Sequence, residues 1–92
     1  MSDAEPADRS AGKLAGRNCV VTGAADGIGR STALKLSAEG ARVLGCDLNA
    51  EVLADLEIHA TLELDVTDAD APDRLLAAVA DQLGGLDVLV NN

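Results

Sequence analysis

Thr22-Gly23-Ala24-Ala25-Asp26-Gly27-Ile28-Gly29 decides the reading of this chain. The short apolar run Asn18–Thr22 precedes it and reads as a buried strand. Ile28–Glu39 follows with apolar residues at helical spacing, and Gly40 is placed to stop that helix. A G-x-x-x-G-x-G stretch between a strand and a helix is the context of a phosphate-cradling loop. Gly23 permits a tight turn off the strand. Gly27 lets a pyrophosphate approach the backbone with no Cβ in the way, and Gly29 lets the helix pack closely on the sheet. The anion then faces unpaired N–H groups at the positive end of the helix. No Gly-Lys-Ser/Thr follows, so the stretch is not a P-loop.

The same alternation continues to residue 92. Arg42–Cys46 reads as a second strand, Ala50–Leu56 as a short helix capped by Asn49, and Ala60–Leu64 as a third strand. Asp68, Asp70 and Asp73 favour the start of a helix, where Pro72 is tolerated in the first turn. That helix runs to about Leu83, with Leu75, Val79 and Leu83 on one face, and Gly84-Gly85 end it. Leu86–Val90 is a fourth strand. The order β-α-β-α-β-α-β predicts an α/β fold: a parallel sheet with helices on both faces. Right-handed crossovers make 3-2-1-4 the expected strand order, the first half of a doubly wound sheet. Residues 1–12 are polar and small and are expected to form a disordered tail, leaving 13–92 as the domain.

Composition narrows the function classes. The chain has 92 residues, enough for one small domain, and 48% of them are hydrophobic. Sixteen acidic residues against seven Lys and Arg give a net charge of −9, which argues against nucleic acid and anionic membranes as partners. There is no Phe, Trp or Tyr, which excludes a tyrosine acid or base and an aromatic stacking platform within these residues. Cys19 and Cys46 make neither a disulfide framework nor a zinc ligand set. They read as buried free thiols in a reducing compartment, and the cytoplasm is the expected location. No apolar run is long enough to cross a membrane as a helix.

Three further positions stand at the carboxyl ends of strands, where open α/β sheets bind ligands. Asp47 ends the second strand, Asp65-Val66 follows the third, and Asn91-Asn92 follows the fourth. A carboxylate at Asp47 suits the ribose hydroxyls of an adenosine and repels a 2′-phosphate, which favours NAD over NADP. A turn or helix cap at Asp47-Leu48-Asn49 is the plainer alternative. His59 has no ligand cluster around it and reads as a strand-entry residue. No metal site is expected.

These motifs resemble the short-chain dehydrogenase/reductase family: T-G-A-A-D-G-I-G at Thr22–Gly29, the acidic end of strand two at Asp47, D-V at Asp65-Val66, and L-D-V-L-V-N-N at Leu86–Asn92. The resemblance implies a Rossmann-type fold that binds NAD. Gly23, Asp26, Gly27, Ile28 and Gly29 would hold the pyrophosphate, and Asp47 with Leu48 the adenosine ribose. Asp65 and Val66 would flank the adenine, Asn91 would stand near the adenosine, and Thr22 would brace the turn. It implies hydride transfer between NAD(H) and a small alcohol or carbonyl substrate, in a homo-oligomer. The family's catalytic Ser and Tyr-x-x-x-Lys pair lie beyond these motifs. With no Tyr in the sequence, and with none of Ser2, Ser10, Ser31 and Ser37 at the catalytic position, no catalytic residue is assigned. The 92 residues are expected to be an inactive, cofactor-binding part, cut after the fourth strand. The alternative is a non-catalytic NAD(H)-binding module.

Overall fold

The computed structural model describes residues 12–92. Apart from Gly12, the tail expected over 1–12 lies outside the described residues. Seven elements alternate: β1 (Asn18–Thr22), α1 (Gly27–Ala38), β2 (Arg42–Asp47), α2 (Ala50–Ala54), β3 (Ala60–Glu63), α3 (Ala71–Gln82) and β4 (Val88–Val90). The four strands form one sheet in the order β3-β2-β1-β4, and every pairing is parallel. The doubly wound order expected from the alternation is therefore the observed one.

Both faces of the sheet are covered, because successive strand residues point to opposite sides. Cys19, Val21 and Val43 pack with Ala33, Leu53 and Leu56 on the α1–α2 side. Val20, Leu44 and Cys46 pack with Leu64, Ala71, Val79 and Leu83 on the α3 side. Small residues fill the contact layers. A Cβ at Gly45, in the middle of β2, would stand 2.7 Å from Ile58 Cδ1 and 3.1 Å from Ala24 Cβ, so this strand position accepts only glycine without a shift.

The local signals act as the sequence suggests, with small changes at the ends. Gly40 takes φ +97° just past α1. The Asn49 side chain accepts a hydrogen bond from Val52 N–H and caps α2, which stops at Ala54 instead of Leu56. Pro72 lies in the first turn of α3. β4 is shorter than Leu86–Val90 because Asp87 replaces a ladder contact with its side chain. Asp87 N–H donates to Asn18 O at 2.9 Å, and the Asp87 carboxylate accepts Asn18 N–H at 2.9 Å. β4 leaves Val88 and Leu89 exposed at one sheet edge.

At the amino ends of the strands, charge gathers on the carboxyl terminus of α3. Arg42 donates to Leu83 O at 3.1 Å and to Gln82 O at 3.1 Å, and the Asn18 side-chain amide donates to Leu83 O at 3.2 Å. His59 Nε2 lies 3.0 Å from Gln82 O. The same Nε2 lies 3.3 Å from Arg42 Nη2, which only donates, whereas the carbonyl only accepts, so the tautomer decides which of the two partners the ring serves. His59 thus stands at the end of α3 and just before β3, at the opposite end of the strands from their carboxyl ends.

Candidate nucleotide-binding site

The carboxyl ends of β1, β2 and β3 open onto a cleft of about 230 Å³. Thr22, Gly23, Cys46, Asp47, Leu48, Leu64, Asp65, Val66, Thr67 and Asn92 line it. A second hollow of about 190 Å³ adjoins it on the α3 side and shares Thr22, Leu64 and Val66. Asn91 lines this second hollow. Of the residues singled out in the sequence, the structure brings Gly23, Asp47, Leu48, Asp65 and Val66 together in the first cleft. Asp26, Gly27, Ile28 and Gly29 line neither hollow and stand at the head of α1.

The glycine loop is built of two unlike halves. Ala24 N–H donates to Cys46 O at 3.0 Å, and Ala25 N–H donates to Asp47 Oδ2 at 3.0 Å. Ala24 and Ala25 are buried. Asp26, Gly27 and Ile28 are exposed, with Ile28 78% accessible. Asp26 takes the N-cap position of α1 in extended conformation and makes no side-chain cap bond. The first N–H donors of a helix have no partner within it, and α1 has no acidic residue in its first turn.

Each glycine has its own reason. Gly23 and Gly27 sit at φ +65° and +58°, a region that L side chains rarely adopt. A Cβ on Gly27 would meet nothing within 4 Å, so the space before the loop is open there. Gly29 lets the head of α1 come close to the ends of β1 and β4. A Cβ there would be driven into the Gly23 carbonyl oxygen and would lie 2.7 Å from the Asn92 side-chain nitrogen. Glycine at 29 lets the loop close on itself.

Asn92, which the sequence places after the fourth strand without a role of its own, lines the cleft, as do Thr67, Cys46 and Leu64, to which the sequence assigns no site role. The same Asn92 nitrogen lies 2.8 Å from where a Cβ on Gly23 would stand. Asn92 N–H donates to Thr22 Oγ1 at 3.0 Å, and the Thr22 hydroxyl lies 3.3 Å from Asn91 Oδ1. Thr22 therefore ties the end of β1 to the segment after β4. Thr67 shapes the β3 side: its N–H and hydroxyl both donate to Asp65 Oδ1, at 2.9 and 2.6 Å. These two bonds hold the Asp65 carboxyl below its usual range. The signal for Thr67 was present as Asp-x-Thr, a local side-chain turn. Cys46 lines the cleft floor as a thiol pushed up to about 11, chiefly by burial and then by the charge of Asp47. Among the described residues, no group of three or more His, Cys, Asp or Glu side chains is placed to hold a metal ion.

A four-stranded parallel sheet wound in this order, with a glycine loop leading from β1 into α1, defines a Rossmann-type α/β domain. The sequence profile of the short chain dehydrogenase family matches residues 17–92, and the chain belongs to that family of oxidoreductases. It is 44% identical over 88 residues to fluoren-9-ol dehydrogenase of a Terrabacter species, covering 88% of this chain and 25% of that protein. It is 41% identical over 85 residues to sorbitol dehydrogenase of Cereibacter sphaeroides, covering 87% of this chain and 33% of the relative. Among solved structures, glucose dehydrogenase of Caenorhabditis elegans in the apo form superposes with a TM-score of 0.79 at 31% identity, covering 87% of this chain and 38% of the other. A putative short-chain alcohol dehydrogenase from Sinorhizobium meliloti superposes with a TM-score of 0.76 at 41% identity, covering 84% and 34%. The chain thus spans a quarter to two fifths of the length of these relatives. None of the described helices is long and apolar enough to cross a membrane.

Proposed function

We propose that residues 13–92 are the dinucleotide-binding part of an NAD(H)-dependent short-chain dehydrogenase acting on a small alcohol or carbonyl substrate. The observation that carries this reading is the Asp47 carboxylate at the wall of the cleft, beside a glycine loop whose Gly27 faces open space. The residues present fit a dinucleotide. Gly27, Ile28 and Gly29 offer first-turn N–H groups to a pyrophosphate, with Gly23 and Asp26 framing the turn. Asp47 retains lone pairs for ribose hydroxyls, and its charge disfavours a 2′-phosphate. Leu48 and Val66, 63% and 60% accessible, offer apolar surface to an adenine, with Asp65 and Asn91 at its margin. A cleft of about 230 Å³ is smaller than the roughly 300–1,000 Å³ of a complete ligand pocket, which suits one end of a dinucleotide.

When bound, the nicotinamide would supply a hydride acceptor or donor. The chain's own part is to bind and orient the adenosine end. With no Tyr in the sequence, the proton-handling tyrosine that the family resemblance implies is not among these 92 residues, and the chain by itself binds without turnover. The reading includes a cytoplasmic setting, in which Cys19 and Cys46 stay as the free thiols observed, and a homo-oligomeric whole. The intact loop beside the missing tyrosine also supports the second reading, a non-catalytic NAD(H)-binding module.

Calorimetric titration of the 92-residue chain with NADH and NADPH tests the binding claim. NADH binding tighter than NADPH is expected. Equal affinity would remove the role of Asp47, and no heat with either would remove the nucleotide. Turnover of NAD with any alcohol by the pure chain would overturn the claim that it acts without catalysis.

A further inference from the structure

Asp47 does more in this structure than stand at the end of a strand. Its Oδ2 accepts Ala25 N–H at 3.0 Å, and its Oδ1 accepts Asn49 N–H at 3.1 Å. Ala24 N–H, one residue earlier, is tied to Cys46 O at 3.0 Å. Two successive loop residues are therefore fastened to the last two residues of β2. The fastened residues are buried, at 0% and 4% accessibility for Ala24 and Ala25, while Asp26, Gly27 and Ile28 are exposed. The Ala25 donor is occupied by Asp47, which leaves the phosphate-facing work to the open half of the loop.

We infer that Asp47 is a positioning residue for the glycine loop, so that the side chain which selects the nucleotide also sets the loop's hold on its phosphates. The nucleotide consequence rests on the function proposed above, whereas the brace itself stands on geometry alone. A carboxylate has about four acceptor sites on its two oxygens. Two are used here, and the remainder can meet ribose hydroxyls. The two roles separate by chemistry. The brace needs an acceptor at Oδ2, and discrimination against a 2′-phosphate needs the negative charge. Asp47→Asn keeps an acceptor for Ala25 and removes the charge. Asp47→Ala removes both and leaves the part-buried Ala25 N–H without its partner, a loss worth roughly tenfold or more in an equilibrium constant.

The test uses the 92-residue chain and these two variants, with two readouts. The first is hydrogen exchange at the Ala25 amide without nucleotide, measured relative to Val20 in the buried centre of β1. Protection is expected in the wild type and in Asp47→Asn, and loss of it by roughly tenfold in Asp47→Ala. The second is affinity for NADH and for NADPH. Asp47→Asn is expected to narrow the gap between the two nucleotides while keeping its hold on NADPH. Asp47→Ala is expected to bind both roughly tenfold more weakly than Asp47→Asn. Asp47→Leu, similar in size and without an acceptor, takes its place if Asp47→Ala does not fold. Equal Ala25 exchange in the wild type and the acceptor-free variant would overturn the brace. Equal affinities of the Asn and acceptor-free variants for both nucleotides would overturn its link to phosphate binding. If no protein binds either nucleotide, the proposed function fails, and Ala25 exchange alone still decides the brace.

Discussion

The carbonyl oxygen of Gly23 occupies the space where a β-carbon of Gly29 would stand. The first and last glycines of the loop are thus a packed pair, and the side-chain nitrogen of Asn92 seals both of them. Gly29→Ala forces backbone to move, not the tip of a flexible side chain. Its expected cost is about 1–3 kcal/mol, the range for overpacking. In a domain of this size each kcal/mol lowers Tm by roughly 4–8 °C. Thermal unfolding followed by circular dichroism checks it, and an unchanged Tm would contradict the contact.

Arg42 supports α3 from the other end of the sheet. Arg42→Ala removes two donors from Gln82 O and Leu83 O and a positive charge from a helix carboxyl terminus. The side chain is exposed, so the expected loss is modest, about 1 kcal/mol. In urea unfolding the midpoint should fall with the slope unchanged. A shift of the slope instead would point to the unfolded chain.

Thr67→Val tests the β3 side of the cleft. The Asp65 carboxyl is held low by the Thr67 hydroxyl first and the Thr67 N–H second. A depressed carboxyl stabilises the fold above its unfolded pKa, and that contribution is lost as pH falls through the folded value. Without the hydroxyl, the Asp65 titration should move up toward the ordinary carboxylate range, and that part of the acid sensitivity should shrink. Carbon-13 titration of the side-chain carboxyl reads this directly. No movement would mean that the 2.6 Å bond is not formed in solution.

Cys46 should be silent toward thiol reagents. Its thiol is buried and pushed up to about 11, and the thiolate is the reactive form. Iodoacetamide at pH 8 should modify neither Cys46 nor the buried Cys19 until the chain is unfolded. A raised thiol pKa favours the fold below the unfolded value of 9.0 and loses that contribution as pH rises through about 11. Stability should therefore decline across that window, and less so in Cys46→Ala.

The architecture was open to reading because its signals are local. Gly40, Asn49 and Pro72 each mark a helix end within a few residues of themselves, and the apolar runs between them fix the strands. The shortened β4 was not legible, because Asp87 replaces a ladder bond with a side chain only when Asn18 lies beside it. The site divides in the same way. Asp47, Asp65 and Val66 could be placed by their position after strands. That Asp47 would reach Ala25, 22 residues away, and that Asn92 would seat on Gly23 and Gly29 are consequences of the 3-2-1-4 order. Gly29 shows the difference most clearly. Its identity was informative, while the reason for it lay in a carbonyl six residues earlier that only the folded turn brings near.

β1 is paired along both edges, and Cys19, Val20 and Val21 have no accessible surface, while β4 joins the sheet through three residues with Leu89 about half exposed. Local opening is cheapest where few apolar contacts are lost, so in the 92-residue chain β4 is expected to open before β1. On that expectation Thr22, at the end of β1, belongs to the slower-opening side of the cleft, and Asn92, after β4, to the faster. One wall of the cleft should then open with global unfolding and the other with β4. The two should separate as distinct classes of amide protection in a single exchange experiment.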